Sequence, residues 1–567
     1  MDDARLPRTP LEYPSETRGL NFFEWDRYLR SLLARVAPDT LRAHRERLSD
    51  FGAWAAGALD EQAAYTDRYA PPRLDTHDRE GRSVGRVVHN PAYMACHAEA
   101  YRRGVIGLAF GDGAAPHLLS FVMGYLLSHA DISIHCPVTM TGAVAHVLER
   151  LAPQAVRDAY LTELTRMDGG ALSAGTWATE LHGGSDVGAT TTTARRDGDA
   201  WRLRGLKWFT SNAGSGLALA TARPEGAPAG GGGLGCYLVP DRLPDGAANS
   251  FSVRRLKDKL GTRGLATGEV DLDDAWALEV AGPPQGLKVM LEALEYSRVH
   301  NAASACGLQH RAFLEAVCWA THREAFGGPI RGYPMVRDTL LDMQADLEAG
   351  TALTIEAARA FDDALRDDGA RVWLRVATAL AKHRTGEQVI RATREAVELV
   401  GGNGYTEEWA TARLYRDAMV LPVWEGPSNI QALELLRVAV GKVSGDQAFL
   451  DRVGGIIAGL PEGLAAEKDL LARGRERCRE AFAYLRGSPG DGPRHGRRLL
   501  DLAADVLSAA LMLEHAAHDL AAGDQRGVIL ARRFTHGLFG NPAAIGPDPD
   551  PAHAHFDAIV GYAAVPV

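Results

Sequence analysis

Hydrophobic residues recur three and four positions apart through most of the chain, the spacing that predicts amphipathic α-helices. This spacing runs from residue 40 to about 164, again over 286–444, and through most of 445–567. Between residues 170 and 285 polar and apolar positions alternate instead, as in AWRLRG (200–205), which predicts β-strands. The pattern therefore predicts a helical block, a β block and two further helical blocks, in that order.

The length of 567 residues exceeds what one hydrophobic core organises. We predict an N-terminal extension with a helical domain over 1–169 and a β domain over 170–285. A four-helix bundle is predicted over 286–444 and an additional helical domain over 445–567, so the fold class is α+β. An amphipathic helix is also predicted at NFFEWDRYLRSLLARV (21–36), and we expect it to dock on its own chain or on a sister subunit.

Two local patterns refine this picture. The stretch TTTTARRDGDAWRLRGLKWFTS (190–211) predicts two strands joined at an Asp197–Gly198 turn. The stretch LVGGNGYTEEWATARLYRDAMVLPVWEGPSNIQALELLR (399–437) begins with a glycine turn. Further along, a single carboxylate, Glu425, follows the apolar run VLPVW (420–424) and precedes apolar residues at helical spacing. That carboxylate is predicted to lie where a loop enters a helix. Glycine and proline beside it fix a tight turn, and desolvation there raises a carboxyl pKa toward the range of a general base. The alternative is a carboxylate that only complements the helix dipole.

Composition narrows the classes of function. A net charge of −10 gives no global argument for nucleic acid or an anionic membrane. The six cysteines are scattered with no metal-binding spacing, so we predict no metal and a reduced, cytoplasmic setting. Residues 1–15 lack the features of a signal peptide, and no apolar run approaches the length of a membrane span.

Taken together, these motifs resemble those of the acyl-CoA dehydrogenase superfamily, and most closely its AidB-like branch. TWATELHGGSDV (176–187), GLKWFTSN (205–212), THREAFGG (321–328) and the GGNG and WEG segments occur in the family's order. The resemblance implies bound FAD. It assigns cofactor contacts to Ala178, Thr179, Ser185, Phe209, Ser211, Arg323, Phe326, Gly401, Gly402, Asn403, Gly404 and Asn429. The chain departs from many members at Pro334 and Glu398, where they carry glutamine.

The resemblance also implies the chemistry. Glu425 is the expected base for the α-proton of an acyl thioester, and flavin N5 is the expected hydride acceptor. Arg298 corresponds to the family's internal arginine behind the catalytic site; its alternative role is a buried structural ion pair. Some members carry the base one residue earlier, where this chain has Ser297.

Partners follow from the same resemblance. The substrate is expected to be an acyl-CoA or a carrier-bound acyl thioester, and the electron acceptor either electron-transfer flavoprotein or oxygen. Because Arg323 and Phe326 match a segment that reaches across a subunit boundary in the family, a homotetramer is expected.

Two alternatives stay open. In the first alternative, the chain is an AidB-like, DNA-associated protective flavoprotein with weak dehydrogenase activity. Its basic stretches at 473–480, 493–498 and 531–536 are short, and such clusters are more often solvated helix faces. A flavin oxidase or monooxygenase acting on small nitrogen compounds is a third reading, but relatives with nitroalkane chemistry carry aspartate as the base.

Overall fold

A computed structural model describes residues 17–441, 443–540 and 550–567. Residues 1–15, from which we predict that no signal peptide is present, lie outside the described residues. In chain order the helices are α1 (Phe22–Trp25), α2 (Arg27–Val36), α3 (Pro38–Trp54), α4 (Asp60–Tyr69), α5 (Pro91–Arg102), α6 (His117–Ser128), α7 (Ile132–Leu151), α8 (Gln154–Thr165), α9 (Gly286–His322), α10 (Pro334–Arg366), α11 (Arg371–Val400), α12 (Ala410–Ala418), α13 (Ser428–Leu435), α14 (Gly445–Gly459), α15 (Ala465–Gly487), α16 (Gly492–Ala521), α17 (Arg526–Phe539), α18 (Pro551–Ala554) and α19 (Phe556–Val560). None of these is both long and apolar enough to cross a bilayer.

Polar side chains fix where several helices begin. Asp26 accepts a hydrogen bond from the backbone N–H of Leu29 at the start of α2, and Asn90 accepts one from Tyr93 at the start of α5. Asp131 does the same for Ser133 at the start of α7. Each cap satisfies a backbone donor that the helix itself leaves open, typically worth about 1 kcal/mol.

The strands are β1 (Arg73–His77), β2 (Ser83–Val88), β3 (Ala174–Trp177), β4 (Thr193–Asp197), β5 (Ala200–Ser211), β6 (Leu217–Pro224), β7 (Gly235–Pro240), β8 (Phe251–Leu256), β9 (Thr267–Ala281), β10 (Glu324–Ala325) and β11 (Gly328–Pro329). Seven of them form one sheet in the order β3-β6-β4-β5-β9-β7, with β8 paired to β9. The further pairing of β6 with β7 closes the sheet on itself. Its core contains Trp177, Leu203, Tyr237 and Val270.

The predicted hairpin is confirmed. β4 and β5 pair antiparallel with Asp197 opposite Ala200, and Gly198 has a φ of 62°. Glycine adopts this left-handed conformation without the steric penalty of other residues, which is why the turn lies there.

One sequence expectation is wrong. Residues 40–164 are not helical throughout, because β1 and β2 form an antiparallel hairpin between α4 and α5. Its turn is closed by Asp78, whose side chain accepts hydrogen bonds from the N–H groups of Glu80 and Arg82. The strands are short and largely exposed, so they carry little of the apolar alternation that marks a half-buried strand.

Contacts divide the chain into two compact units. The first unit comprises the described residues of 1–57, 128–130 and 301–567, and the second comprises 58–127 and 131–300. In the first unit, Phe22, Phe23 and Leu29 are buried, so the predicted amphipathic segment does pack within its own chain. It is two helices rather than one, because Asp26 caps α2.

Candidate active site

Glu425 lies in a sharp turn immediately before α13 in the first unit. Its φ of 56° and the φ of 92° at Gly426 place two successive residues in the left-handed region. For a residue with a side chain this conformation costs about 1–3 kcal/mol, so surrounding contacts must hold it. The prediction that this carboxylate lies where a loop enters a helix is confirmed.

Two side chains hold this turn through its backbone carbonyls. Lys382 on α11 is fully buried and donates from Nζ to the carbonyls of Gly426 (2.8 Å) and Pro422 (3.1 Å). Gln431 on α13 donates from Nε2 to the carbonyls of Gly426 (2.9 Å) and Glu425 (3.2 Å). A Cβ at position 426 would lie 3.0 Å from Gln431 Nε2, so the close approach also requires glycine. Sequence reasoning missed Lys382 because it lies more than 40 positions before the turn.

Two buried polar atoms mark the turn as a place for a ligand. Oε2 of Glu425 is buried, and Nε1 of Trp424 is buried with no hydrogen-bond partner among the described residues. A buried indole N–H normally finds an acceptor, so a bound molecule with an oxygen would satisfy it. Asn429, the second residue of α13, is exposed.

The predicted glycine turn ends α11. Gly401 has a φ of 72°, and its N–H donates to the carbonyls of Val397 and Glu398 at the helix end. Gly401, Gly402 and Asn403 are exposed, and a Cβ at either of the two glycines would meet no atom within 4 Å. The backbone of Gly401, Gly402 and Asn403 is therefore accessible to a bound molecule. Gly404 is different, because a Cβ there would lie 2.7 Å from the carbonyl oxygen of Val397.

Arg323 and Phe326 lie just after α9, at the small β10–β11 hairpin. The Arg323 guanidinium is exposed and lies 5.9 Å from the centroid of the Trp319 ring. Phe326 has a φ of 52° and is 97% exposed. An exposed aromatic ring held in an uncommon backbone conformation is a feature of contact surfaces rather than of a chain packing on itself.

In the second unit, the segment that follows β3 and carries two predicted flavin contacts is hydrogen-bonded to β5, which carries two more. Ala178 and Thr179 follow β3, and the carbonyl of Thr179 accepts a hydrogen bond from the N–H of Trp208 on β5 (2.9 Å). The next residue, Phe209, is 56% exposed. Ser211 is two positions further along β5, with its hydroxyl 3.4 Å from that of Thr267. A half-exposed aromatic ring thus lies on the same strand as a hydroxyl.

A buried ion pair, missed by sequence reasoning, fixes this arrangement. Glu180 Oε1 lies 2.9 Å from Lys207 Nζ, and both side chains are almost fully buried. Thr191 and Thr192 each donate two hydrogen bonds to the Glu180 carboxylate, one from the backbone and one from the hydroxyl. Burial alone would raise the pKa of Glu180, but Lys207 and the two threonines hold it at about 2. Because Glu180 follows Thr179 directly, the pair ties the predicted flavin segment to β5.

Ser185 and Arg298 take different positions in the second unit. Ser185 is exposed in the loop after β3, where its hydroxyl is open to a ligand. Arg298 is buried on α9 and lies 3.1 Å from Glu295, so an ion pair, the alternative role for this arginine, is present. The Ser297 hydroxyl donates to the carbonyl of Ala293 one turn earlier on the same helix. This hydroxyl is therefore engaged by its own helix.

The predicted residues fit FAD when each unit is considered alone. In the second unit, an exposed aromatic ring and the hydroxyls of Thr179 and Ser211 suit a flat ring system with polar edges. In the first unit, an exposed guanidinium and open glycine backbone suit phosphate oxygens.

Three family models match the chain. They are the N-terminal domain of the adaptive response protein AidB over residues 13–168, the acyl-CoA dehydrogenase middle domain over 175–275, and the acyl-CoA dehydrogenase C-terminal domain over 284–440.

Individual relatives agree with these models. Putative acyl-CoA dehydrogenase AidB of Escherichia coli is 35% identical over 383 residues, covering 65% of this chain and 69% of the relative. Acyl-CoA dehydrogenase family member 11 of Caenorhabditis elegans is 29% identical over 548 residues, covering 90% and 85%. The crystal structure of Caenorhabditis elegans ACDH-11 in complex with C11-CoA superposes with a TM-score of 0.86 at 26% identity, covering 96% of this chain and 94% of that one.

Proposed function

The chain belongs to the acyl-CoA dehydrogenase superfamily, in its AidB-like branch, and we propose that Glu425 is the base with which it dehydrogenates an acyl thioester. As a member of this family it is a FAD-dependent oxidoreductase. The observation that carries the proposal is the turn at Glu425, whose left-handed backbone is held by a fully buried lysine and a glutamine.

The proposed reaction removes two hydrogens from adjacent carbons. The deprotonated Glu425 carboxylate takes the proton from the carbon next to the thioester carbonyl, and the C–H electron pair becomes the new double bond. When bound, FAD supplies the two-electron acceptor for the hydride from the neighbouring carbon. A carboxylate is too weak a base to remove an α-proton unless the negative charge that develops on the thioester carbonyl oxygen is stabilised. The proposal therefore includes hydrogen-bond donors to that oxygen near the turn.

The protein's own contribution is orientation. Lys382 binds the carbonyls of Pro422 and Gly426, and Gln431 binds those of Glu425 and Gly426, so the backbone before and after Glu425 is held by hydrogen bonds. A base held in one place loses less entropy on the way to the transition state than a mobile one. The strain stored at Glu425 is thus compatible with a functional role.

Ion pairs within the basic stretches weigh against the DNA-associated alternative. Three arginines of these stretches form ion pairs: Arg479 with Glu476, Arg497 with Glu387, and Arg532 with Glu467. Arg533 likewise lies between Asp338 and Asp342. Such pairing reduces the positive potential that phosphate binding needs, so no second function is proposed.

The proposed function is tested by anaerobic reduction of the bound flavin. We expect the purified protein to be yellow with one non-covalent FAD per chain, and a panel of acyl-CoAs of graded chain length to bleach the absorbance with at least one clear optimum. The matched control is the corresponding CoA thioethers, which lack the carbonyl that acidifies the α-proton. If no acyl-CoA of the panel bleaches the flavin of a protein that holds FAD, the proposed function is wrong.

We also propose a homotetramer in which Arg323 serves the FAD of a neighbouring subunit. Arg323→Ala should then lower the FAD content per chain while light scattering still gives the tetramer mass, because an exposed guanidinium contributes to phosphate binding and not to packing. Arg366→Ala is the control, since Arg366 is an exposed arginine paired with Asp363 at the end of α10. A monomer with a full complement of FAD would contradict the shared site.

A further inference from the structure

A second hydrogen-bonded chain reaches the Glu425 turn from α16. Asp501 Oδ1 on α16 lies 2.7 Å from His383 Nε2 on α11, and His383 Nδ1 lies 3.1 Å from the Ser428 hydroxyl. Ser428 is the first residue of α13, three positions after Glu425. His383 and Ser428 are buried, while the Asp501 side chain is half-exposed.

This chain lies beside the lysine contact already described. Lys382 and His383 are consecutive residues of α11, and they hold opposite ends of one short segment. Lys382 binds the carbonyls of Pro422 and Gly426, and His383 binds the side chain at the start of α13. The segment that carries Glu425 is thus fixed at both ends by a single helix.

The direction of the hydrogen bond between His383 and Asp501 follows from the charge of Asp501. The hydrogen bond from His383 lowers the pKa of Asp501, so this group is a carboxylate at neutral pH and can only accept. His383 therefore donates from Nε2 to Asp501, while its Nδ1 shares a hydrogen bond with the Ser428 hydroxyl in which either atom can be the donor. The Ser428 hydroxyl also lies 3.3 Å from Glu387 Oε1, to which it can donate.

The three residue types also form nucleophilic triads in hydrolases. Here Ser428 is only 7% exposed, and its hydroxyl lies between His383 and Glu387. A nucleophile must reach an acyl carbon and needs donors for the resulting oxyanion. The geometry instead suits a group that fixes the start of a helix.

We infer that Asp501, His383 and Ser428 are positioning residues that hold the Glu425 turn for proton abstraction. The inference rests on the proposed function, which it deepens. Asp501 lies beyond residue 440, where the family models end. The C-terminal helices would therefore contribute to catalysis and not only form an appended module.

The test compares two aspartates one turn apart on α16. Asp501→Ala removes the acceptor for His383, whereas Asp505→Ala removes the partner of Arg384 on the same helix pair without touching His383. We expect Asp501→Ala to lower the rate of anaerobic flavin reduction at saturating acyl-CoA about tenfold, with the half-saturating concentration unchanged, because a displaced base slows the chemical step and not binding. Asp505→Ala should stay within about twofold of wild type. Asp501→Asn keeps an acceptor oxygen for Nε2–H and should recover most of the rate.

A second readout does not depend on activity. Amide hydrogen exchange over residues 424–433 should become faster in Asp501→Ala and remain as in wild type in Asp505→Ala, since only the first variant releases the start of α13. Equal exchange and equal rates in the two alanine variants would overturn the positioning role. If wild type reduces no flavin with any thioester, the proposed function fails, and the exchange comparison alone decides whether the contact holds the turn.

Discussion

Glu425→Gln should leave the fold and the FAD content unchanged and should slow flavin reduction by acyl-CoA about 10³- to 10⁴-fold. An amide of nearly the same size keeps the packing in the turn, but it cannot accept the α-proton. General bases contribute about 10² to 10⁴ in rate, and we expect the upper end because the Glu425 carboxylate oxygen Oε2 is buried, with little access for water to replace it. The measurement is stopped-flow absorbance of the bound flavin under anaerobic conditions.

Glu434→Gln is the control for this experiment. Glu434 is on the same helix, α13, and forms ion pairs with Arg375 and Arg437. Neutralising it should change the rate by less than about twofold, as is usual away from the reacting groups. Equal rates for wild type and Glu425→Gln, with a substrate that wild type clearly turns over, would remove Glu425 from the mechanism.

Breaking the buried Glu180–Lys207 ion pair should destabilise the folded protein. Glu180→Gln should lower the free energy of unfolding by about 3–5 kcal/mol, because it leaves the fully buried Lys207 ammonium without a countercharge. Lys207→Met should be less damaging, since Thr191 and Thr192 still donate to the Glu180 carboxylate. The double variant Glu180→Gln/Lys207→Met should recover much of the loss, as replacement of a buried pair by neutral groups often does.

Acid titration of the same variants gives an independent check. The folded pKa of Glu180, about 2, lies below its ordinary value of 4.5, so its stabilising contribution is fully present above pH 4.5 and is lost as the pH falls toward 2. The stability advantage of wild type over the double variant, measured by denaturant unfolding, should therefore shrink across this interval. If the stability difference between wild type and the double variant stays constant from pH 5 to pH 2.5, the pKa of Glu180 is not lowered in the folded protein.

The sequence predicts well those features that depend on neighbouring residues. The Asp197–Gly198 turn between two strands and the entry of Glu425 into a helix both follow from patterns a few residues long. The α+β fold and FAD follow from the order of several such motifs, and membership in the family confirms them. The domain boundaries and the individual cofactor contacts stay predictions.

What the sequence does not predict is contact between distant positions. Lys207 occupies a strand position that pattern alone assigns to half-buried sheet, and its partner Glu180 is 27 residues away. Asp501 and His383 are separated by 118 residues, and no periodicity connects them. The hairpin of β1 and β2 was missed for a different reason, since its exposed strands carry almost no apolar signal.

Dehydrogenation is measured most directly as the mass of the thioester after one anaerobic turnover. Purified protein with bound FAD is mixed with an equimolar amount of the acyl-CoA that bleaches the flavin fastest, and the thioester is recovered and weighed by mass spectrometry. We expect a product that has lost two hydrogens, formed in proportion to the flavin bleached, and almost none of it from Glu425→Gln in the same time. Bleached flavin with an acyl-CoA of unchanged mass would contradict α,β-dehydrogenation.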